Sequence, residues 1–67
     1  MTIKQAIREV LEKRGKVSNF DLEVLVRQKV NCLAGTIHRE RREMDDVIKE
    51  RKIVDGKFTN TYYCTLA

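Results

Sequence analysis

The stretch Gly35-Thr36-Ile37-His38-Arg39-Glu40-Arg41-Arg42-Glu43-Met44 decides the predicted fold. Ile37 and Met44 stand seven residues apart, about two helical turns, so both lie on one face of a helix. His38, Arg39 and Arg42 then fall on the opposite face, where we expect them to meet solvent. The buried face continues outside the stretch at three further residues, Leu33, Val47 and Ile48. The pattern therefore predicts a long charged helix that reaches to about Arg51.

Two capped helices are predicted before this stretch. Thr2 and Gln5 form a Thr-x-x-Gln capping box, and the apolar residues after it predict a helix over about 3–14. Ser18 or Asn19 is a natural N-cap for a second helix over about 19–29. We expect its core stripe to be Phe20, Val24 and Leu25, widened by Leu22 and Val26. Val17, between the two helices, is expected to pair into a sheet completed by the C-terminus.

After Lys52 the apolar period changes from helical spacing to alternation. Ile53-Val54 predicts a short strand, Asp55-Gly56 the start of a turn, and residues 62–66 a second strand. The predicted inner face of that second strand is Tyr62, Cys64 and Leu66. Three helices followed by a C-terminal β-hairpin make an α+β fold in one domain, residues 1–67. The expected core is Ile7, Leu11, Val24, Leu25, Ile37, Met44, Ile48 and Leu66.

Length and charge limit the classes of function. A chain of 67 residues buries a thin core and has little volume for an enclosed substrate pocket, so we expect neither an enzyme nor a small-molecule substrate. Fourteen Lys and Arg against ten Asp and Glu give a formal charge of +4 and a pI near 9.3. A positive field of this kind attracts polyanions, among which nucleic acid is the commonest partner.

The cysteines and the N-terminal residues favour a cytoplasmic protein. Cys32 and Cys64 are too few and too far apart for the disulfide framework of a small secreted domain. No apolar run has the length of a signal peptide or of a membrane span. His38 and Glu40 form a His-x-Glu, but neither cysteine has the closely spaced partner that zinc sites use. We therefore expect the cysteines to be small core residues, with no metal and no cofactor.

The order of predicted elements resembles that of the winged helix-turn-helix DNA-binding family, of the small stand-alone type. The resemblance covers essentially the whole chain, with Gly35 to Met44 similar to the recognition helix and Ile53 to Leu66 similar to the wing, whose tip would be residues 56–61. Two features depart from the family pattern. Arg41 stands where the family usually has Leu, and Val30 lies seven residues before Ile37, which makes the turn long.

The resemblance implies a site on double-stranded DNA. The third helix would lie in the major groove, and the wing would reach the neighbouring backbone or minor groove. The residues implied in contact are Gly35, Thr36, His38, Arg39, Arg42, Lys57 and Asn60. Plainer interpretations stay open: Arg39–Glu43 and Arg42–Asp46 pairs on a solvated surface, Gly35 easing a turn, and Lys57 and Asn60 as polar turn residues.

The implied function is that of a transcriptional or genome-maintenance regulator, alone, as a homodimer or with a protein partner. An alternative is a winged helix that docks a protein within a larger assembly. The mixed charges of the third helix, where Asp45 and Asp46 follow the arginines, suit that alternative.

Overall fold

The first two helices begin at their predicted caps. The computed structural model describes residues 1–67. Helix α1 spans Ile3–Arg14 behind the complete Thr2 capping box, and it ends at Gly15, whose φ of 78° suits a residue without Cβ. Helix α2 spans Asn19–Lys29, and the Ser18 hydroxyl caps it by accepting from the Asp21 N–H.

The third helix is shorter than predicted. Helix α3 spans Ala34–Arg42, and the chain then turns through residues 43–46, with the Met44 N–H donating to the Arg41 carbonyl at 3.0 Å. The expected continuation to about Arg51 is wrong, because Val47 begins a strand there. Asp45 and Asp46 favour turns over helix interiors, since their side chains compete for nearby backbone groups.

Three antiparallel strands form the sheet. Strand β1 spans Val17–Ser18, β2 spans Val47–Val54 and β3 spans Lys57–Leu66, in the order β1-β3-β2. The two-residue turn between β2 and β3 is Asp55-Gly56, with φ of 53° and 77°. The α+β class, the C-terminal hairpin and the pairing of Val17 (opposite Cys64) are confirmed. Both hairpin strands are longer than predicted, which makes the turn shorter.

The core lies between the three helices and the inner face of the sheet. Ile7, Leu11, Ile37 and Met44 are buried there as expected. The other buried apolar residues are Ala6, Val10, Val17, Leu22, Val26 and Cys64. Leu25 and Leu66 are half-buried against this cluster.

The expected core positions on α2 and at Ile48 are wrong in part. Phe20 is 71% exposed, and Val24 and Ile48 are each 41% exposed. Leu22 and Val26 instead turn into the core, so the buried stripe of α2 is the one opposite Phe20 and Val24. None of the three helices combines the length and the apolar character needed to cross a membrane.

Candidate nucleic-acid interface

The outward face of α3 carries two free arginines. Burial of Ile37 turns Gly35, Arg39 and Arg42 away from the core, and all three are exposed. Neither arginine takes part in an ion pair. The Arg39–Glu43 and Arg42–Asp46 pairs considered from the sequence are therefore not formed, and both guanidinium groups are available to an anionic ligand.

The carboxylates near these arginines are bound by α1 instead. Lys4 Nζ lies 3.1 Å from Glu43 and 3.2 Å from Glu40. Arg8 makes a two-pronged contact with Asp46. The hydrogen bonds that Lys4 donates to Glu43 and, next, to Glu40 raise the pKa of Lys4. The hydrogen bond that Arg8 donates to Asp46 lowers the pKa of Asp46. Two cations of α1 thus offset the negative charge of Glu40, which lies between the α3 arginines, and of Glu43 and Asp46, which follow them.

His38 does not lie on the free face. Its side chain is only 23% exposed, and its Nε2 lies 2.5 Å from Glu23 Oε1 on α2. Its Nδ1 is buried without a hydrogen-bond partner. The expected exposure of His38 is wrong, because residue 38 turns toward α2 while residues 39 and 42 turn outward. His38 fastens α3 to α2, a contact between residues fifteen apart that no local pattern reveals.

The first turn of α3 is open. Leu33 occupies the N-cap position and supplies no side-chain hydrogen bond. Gly35 lies inside the helix rather than in the preceding turn, and a Cβ added there would meet nothing within 4 Å. Packing and backbone conformation therefore do not require glycine at this position. Thr36 is half-buried beside it. Uncapped N–H groups and an unobstructed backbone suit the close approach of a phosphate.

Arg41 is buried at the position where an aliphatic residue was expected. It is 6% exposed, and its Nε is buried without a hydrogen-bond partner. Its stem packs with the core side of α3, on the same face as Ile37. Arg41 therefore does not belong to the outward cationic face.

The hairpin provides a second group of free cations. Lys49, Arg51, Lys52 and Lys57 are exposed and make no ion pair. Lys49 lies over the ring of Tyr62, 4.4 Å from its centroid, and the Arg51 Nε donates to the Tyr62 hydroxyl at 2.9 Å. Lys49, Arg51 and Lys52 were not predicted as contact residues; residues 49 and 51 were expected in the third helix, and Lys52 was expected to lie just before the first hairpin strand.

Lys57 and Asn60 lie outside the turn in which they were expected. Lys57 is the first residue of β3 and pairs with Val54. Asn60 is exposed within β3, where the register between the strands shifts. Their interpretation as polar turn residues is therefore wrong, since both belong to β3, the second strand of the hairpin.

Cys32 and Cys64 are free thiols. Cys64 is fully buried, and burial raises the pKa of its thiol. Cys32 is half-buried and packs against the core. No group of three or more His, Cys, Asp or Glu side chains is arranged to hold a metal ion.

We compared the chain with protein-family models, with curated proteins and with solved structures. None of the three comparisons found a match. The functional interpretation of these two cationic surfaces therefore rests on their geometry and charge.

Proposed function

We propose that this protein binds double-stranded DNA as a winged helix. The observation that carries the proposal is the separation of charge around α3. Arg39 and Arg42 point outward without partners, while Glu40, Glu43 and Asp46 are held by Lys4 and Arg8. A helix presented in this way fits the major groove, where arginine pairs with guanine or holds a phosphate.

The order of elements supports a second contact by the hairpin. Strand β2 begins at Val47, directly after the turn that ends α3, so the hairpin extends from the end of the same helix. Its free cations, Lys49, Arg51, Lys52 and Lys57, suit contacts with phosphates, which fix the orientation of a protein on the duplex. In this arrangement Gly35 brings its backbone N–H and Thr36 its hydroxyl to a phosphate, and Asn60 joins Lys57 on the hairpin.

His38 has an indirect part in this proposal. Because its ring is held against Glu23, we assign it to positioning α3 rather than to contact with a base. The protein would act as a transcriptional or genome-maintenance regulator in the cytoplasm, where its two free thiols remain reduced. No catalysis, metal or cofactor is part of the proposal.

The alternative function is docking of a protein partner through α2. Phe20 and Val24, one turn apart on the outward face of α2, are 71% and 41% exposed, and Leu33 before α3 is 75% exposed. Phe20 and Val24 together form a small exposed apolar surface, which favours a protein contact over a solvated surface. A homodimer built on this face is compatible with DNA binding by α3.

Binding to generic duplex DNA at several salt concentrations tests the proposal. If four to six phosphates are neutralised, a plot of log affinity against log salt should have a slope of about −4 to −5. Fluorescence anisotropy of a labelled duplex measures this directly. Absence of binding at low salt would reject DNA binding and favour the docking alternative.

A further inference from the structure

The far end of the hairpin carries two large apolar side chains that no part of the chain covers. Ile53 and Phe58 are paired directly across β2 and β3, so they lie on the same face of the hairpin. Phe58 is 70% exposed and Ile53 is 59% exposed. Burial of these side chains would stabilise a domain whose core is so small. Their joint exposure therefore indicates a contact surface.

The hairpin holds this pair in a defined position. Between the pairs Arg51–Tyr62 and Ile53–Phe58, β2 advances by two residues and β3 by four, which places a bulge in β3. The Thr59 hydroxyl fastens the bulge, since it donates to the Lys52 carbonyl at 3.0 Å. Bulges increase local twist and redirect side chains. The apolar pair is therefore presented by a braced hairpin rather than by a loose loop.

Two free cations lie on the same face of the hairpin as the apolar pair. Successive side chains of a strand point to opposite faces, so Lys49 and Arg51 share the face of Ile53, whereas Lys52 lies on the other face, over the ring of Tyr63. Neither Lys49 nor Arg51 has an acidic partner. Glu50, further along β2, is 3.9 Å from Lys16. An apolar pair beside a free lysine and a free arginine matches a ligand with an anionic surface and an apolar interior. Duplex DNA has both, in its phosphates and its stacked bases.

We propose that Phe58, backed by Ile53, inserts between adjacent base pairs and bends the duplex. Lys49 and Arg51, on the same face, hold phosphates beside the opened step. Apolar wedges at the minor groove are known to unstack base steps and to kink DNA by about 20–90°. The inference rests on the proposed DNA binding and adds a mechanical action to it: the protein reshapes the DNA to which it binds.

The test compares Phe58→Ala with Val54→Ala on one duplex. Val54 is the control, because it is 44% exposed and apolar and lies in the same hairpin, on the face opposite Ile53 and Phe58. The duplex carries a donor and an acceptor dye at its ends and 2-aminopurine at its flexible TA steps. Energy transfer reports the bend, 2-aminopurine fluorescence reports unstacking, and anisotropy reports affinity. Circular dichroism checks that each variant is folded.

We expect the wild type and Val54→Ala to bend the duplex and to raise 2-aminopurine fluorescence. Phe58→Ala should lose both signals and bind about 5- to 150-fold more weakly, the range for loss of one aromatic–base stack. Its salt slope should stay unchanged, because phenylalanine contacts no phosphate.

The outcomes separate this inference from the proposed function. Wild-type binding without bending or unstacking, or equal signals for Phe58→Ala and the wild type, would overturn the wedge and leave DNA binding intact. Equal losses in Val54→Ala and Phe58→Ala would also overturn it, since the face of the hairpin on which the side chain lies would then not matter. If the wild type binds no duplex at all, both proposals fail.

Discussion

The ammonium group of Lys4, at the start of α1, lies 3.1 Å from the carboxylate of Glu43, the residue that follows α3. The same ammonium group lies 3.2 Å from Glu40. One lysine therefore offsets two carboxylates, one within α3 and one directly after it, at the helix that we propose to enter DNA. In this account, Lys4 assists DNA binding without contacting DNA.

Lys4→Ala should weaken DNA binding more than Lys13→Ala does. Both changes remove one positive charge from α1, but only the first releases Glu40 and Glu43 to repel phosphates. We expect a difference of about two- to fivefold in affinity, as is usual for an exposed pair, and less at high salt. Adding Glu43→Gln to Lys4→Ala should recover part of the loss. Equal effects of the two lysine changes, measured by anisotropy, would show that Lys4 acts only through the net charge.

Gly35→Ala should stabilise the protein and weaken DNA binding. Position 35 is helical and has open space around a Cβ, so alanine should raise the free energy of unfolding by about 0.5–1 kcal/mol. The added methyl group lies on the face that we propose to approach the DNA backbone. Urea denaturation and duplex binding measured on the same variant check both effects. Unchanged affinity in a stabilised variant would exclude close backbone contact at Gly35.

Ile37→Ala should destabilise the protein strongly. Ile37 is 0% exposed, so truncation removes buried surface and leaves a cavity, at a cost of about 2–5 kcal/mol. Val24→Ala is the control, because Val24 is 41% exposed. A loss below ~1 kcal/mol for Ile37→Ala in chemical denaturation would contradict the helical phase that turns Arg39 and Arg42 outward.

Arg41→Met should stabilise the protein. The Arg41 Nε is buried without a hydrogen-bond partner, and methionine fills similar space without that donor. Removing an unsatisfied donor should add about 1–3 kcal/mol to the free energy of unfolding, whereas the exposed Arg42→Met should change it by less than ~0.5 kcal/mol. Thermal and urea unfolding of both variants provide the measurement. A loss of stability in Arg41→Met would mean that the buried guanidinium contributes favourably to the fold.

Sequence patterns predicted the parts of the fold that local chemistry determines. The capping box at Thr2, the cap of α2 and the start of the hairpin turn each depend on residues close in the chain. The capping box forms as expected, Ser18 rather than Asn19 caps α2, and the turn starts at Asp55-Gly56 as expected but is shorter. Helix α2 shows the limit of periodicity. Phe20 and Val24 lie on one side and Leu22 and Val26 on the other, and spacing alone does not say which side meets the core.

The end of α3 was predicted too late in the sequence, because the residues after Arg42 fit both the helical period and the strand period. Met44, Val47 and Ile48 match a helical face, yet residues 47–54 also suit a strand with β-branched residues at both ends. Asp45 and Asp46, which favour turns, were the signal that distinguishes a continued helix from a turn followed by a strand. The ion pairs of Lys4 and Arg8 join residues about forty apart, so only the folded structure reveals which arginines remain free.

The central claim is that α3 is a recognition helix, and duplex binding by three matched variants tests it most directly. Arg39→Ala, Arg42→Ala and Lys13→Ala each remove one exposed cation that has no ion pair. We predict that each arginine variant loses about 1–3 kcal/mol of binding free energy if its guanidinium reads a base, and that preference for one base position is relaxed. Lys13→Ala, on α1, should bind almost as tightly as the wild type. If Lys13→Ala loses as much affinity as Arg39→Ala and Arg42→Ala, the attraction is diffuse charge and α3 is not a recognition helix.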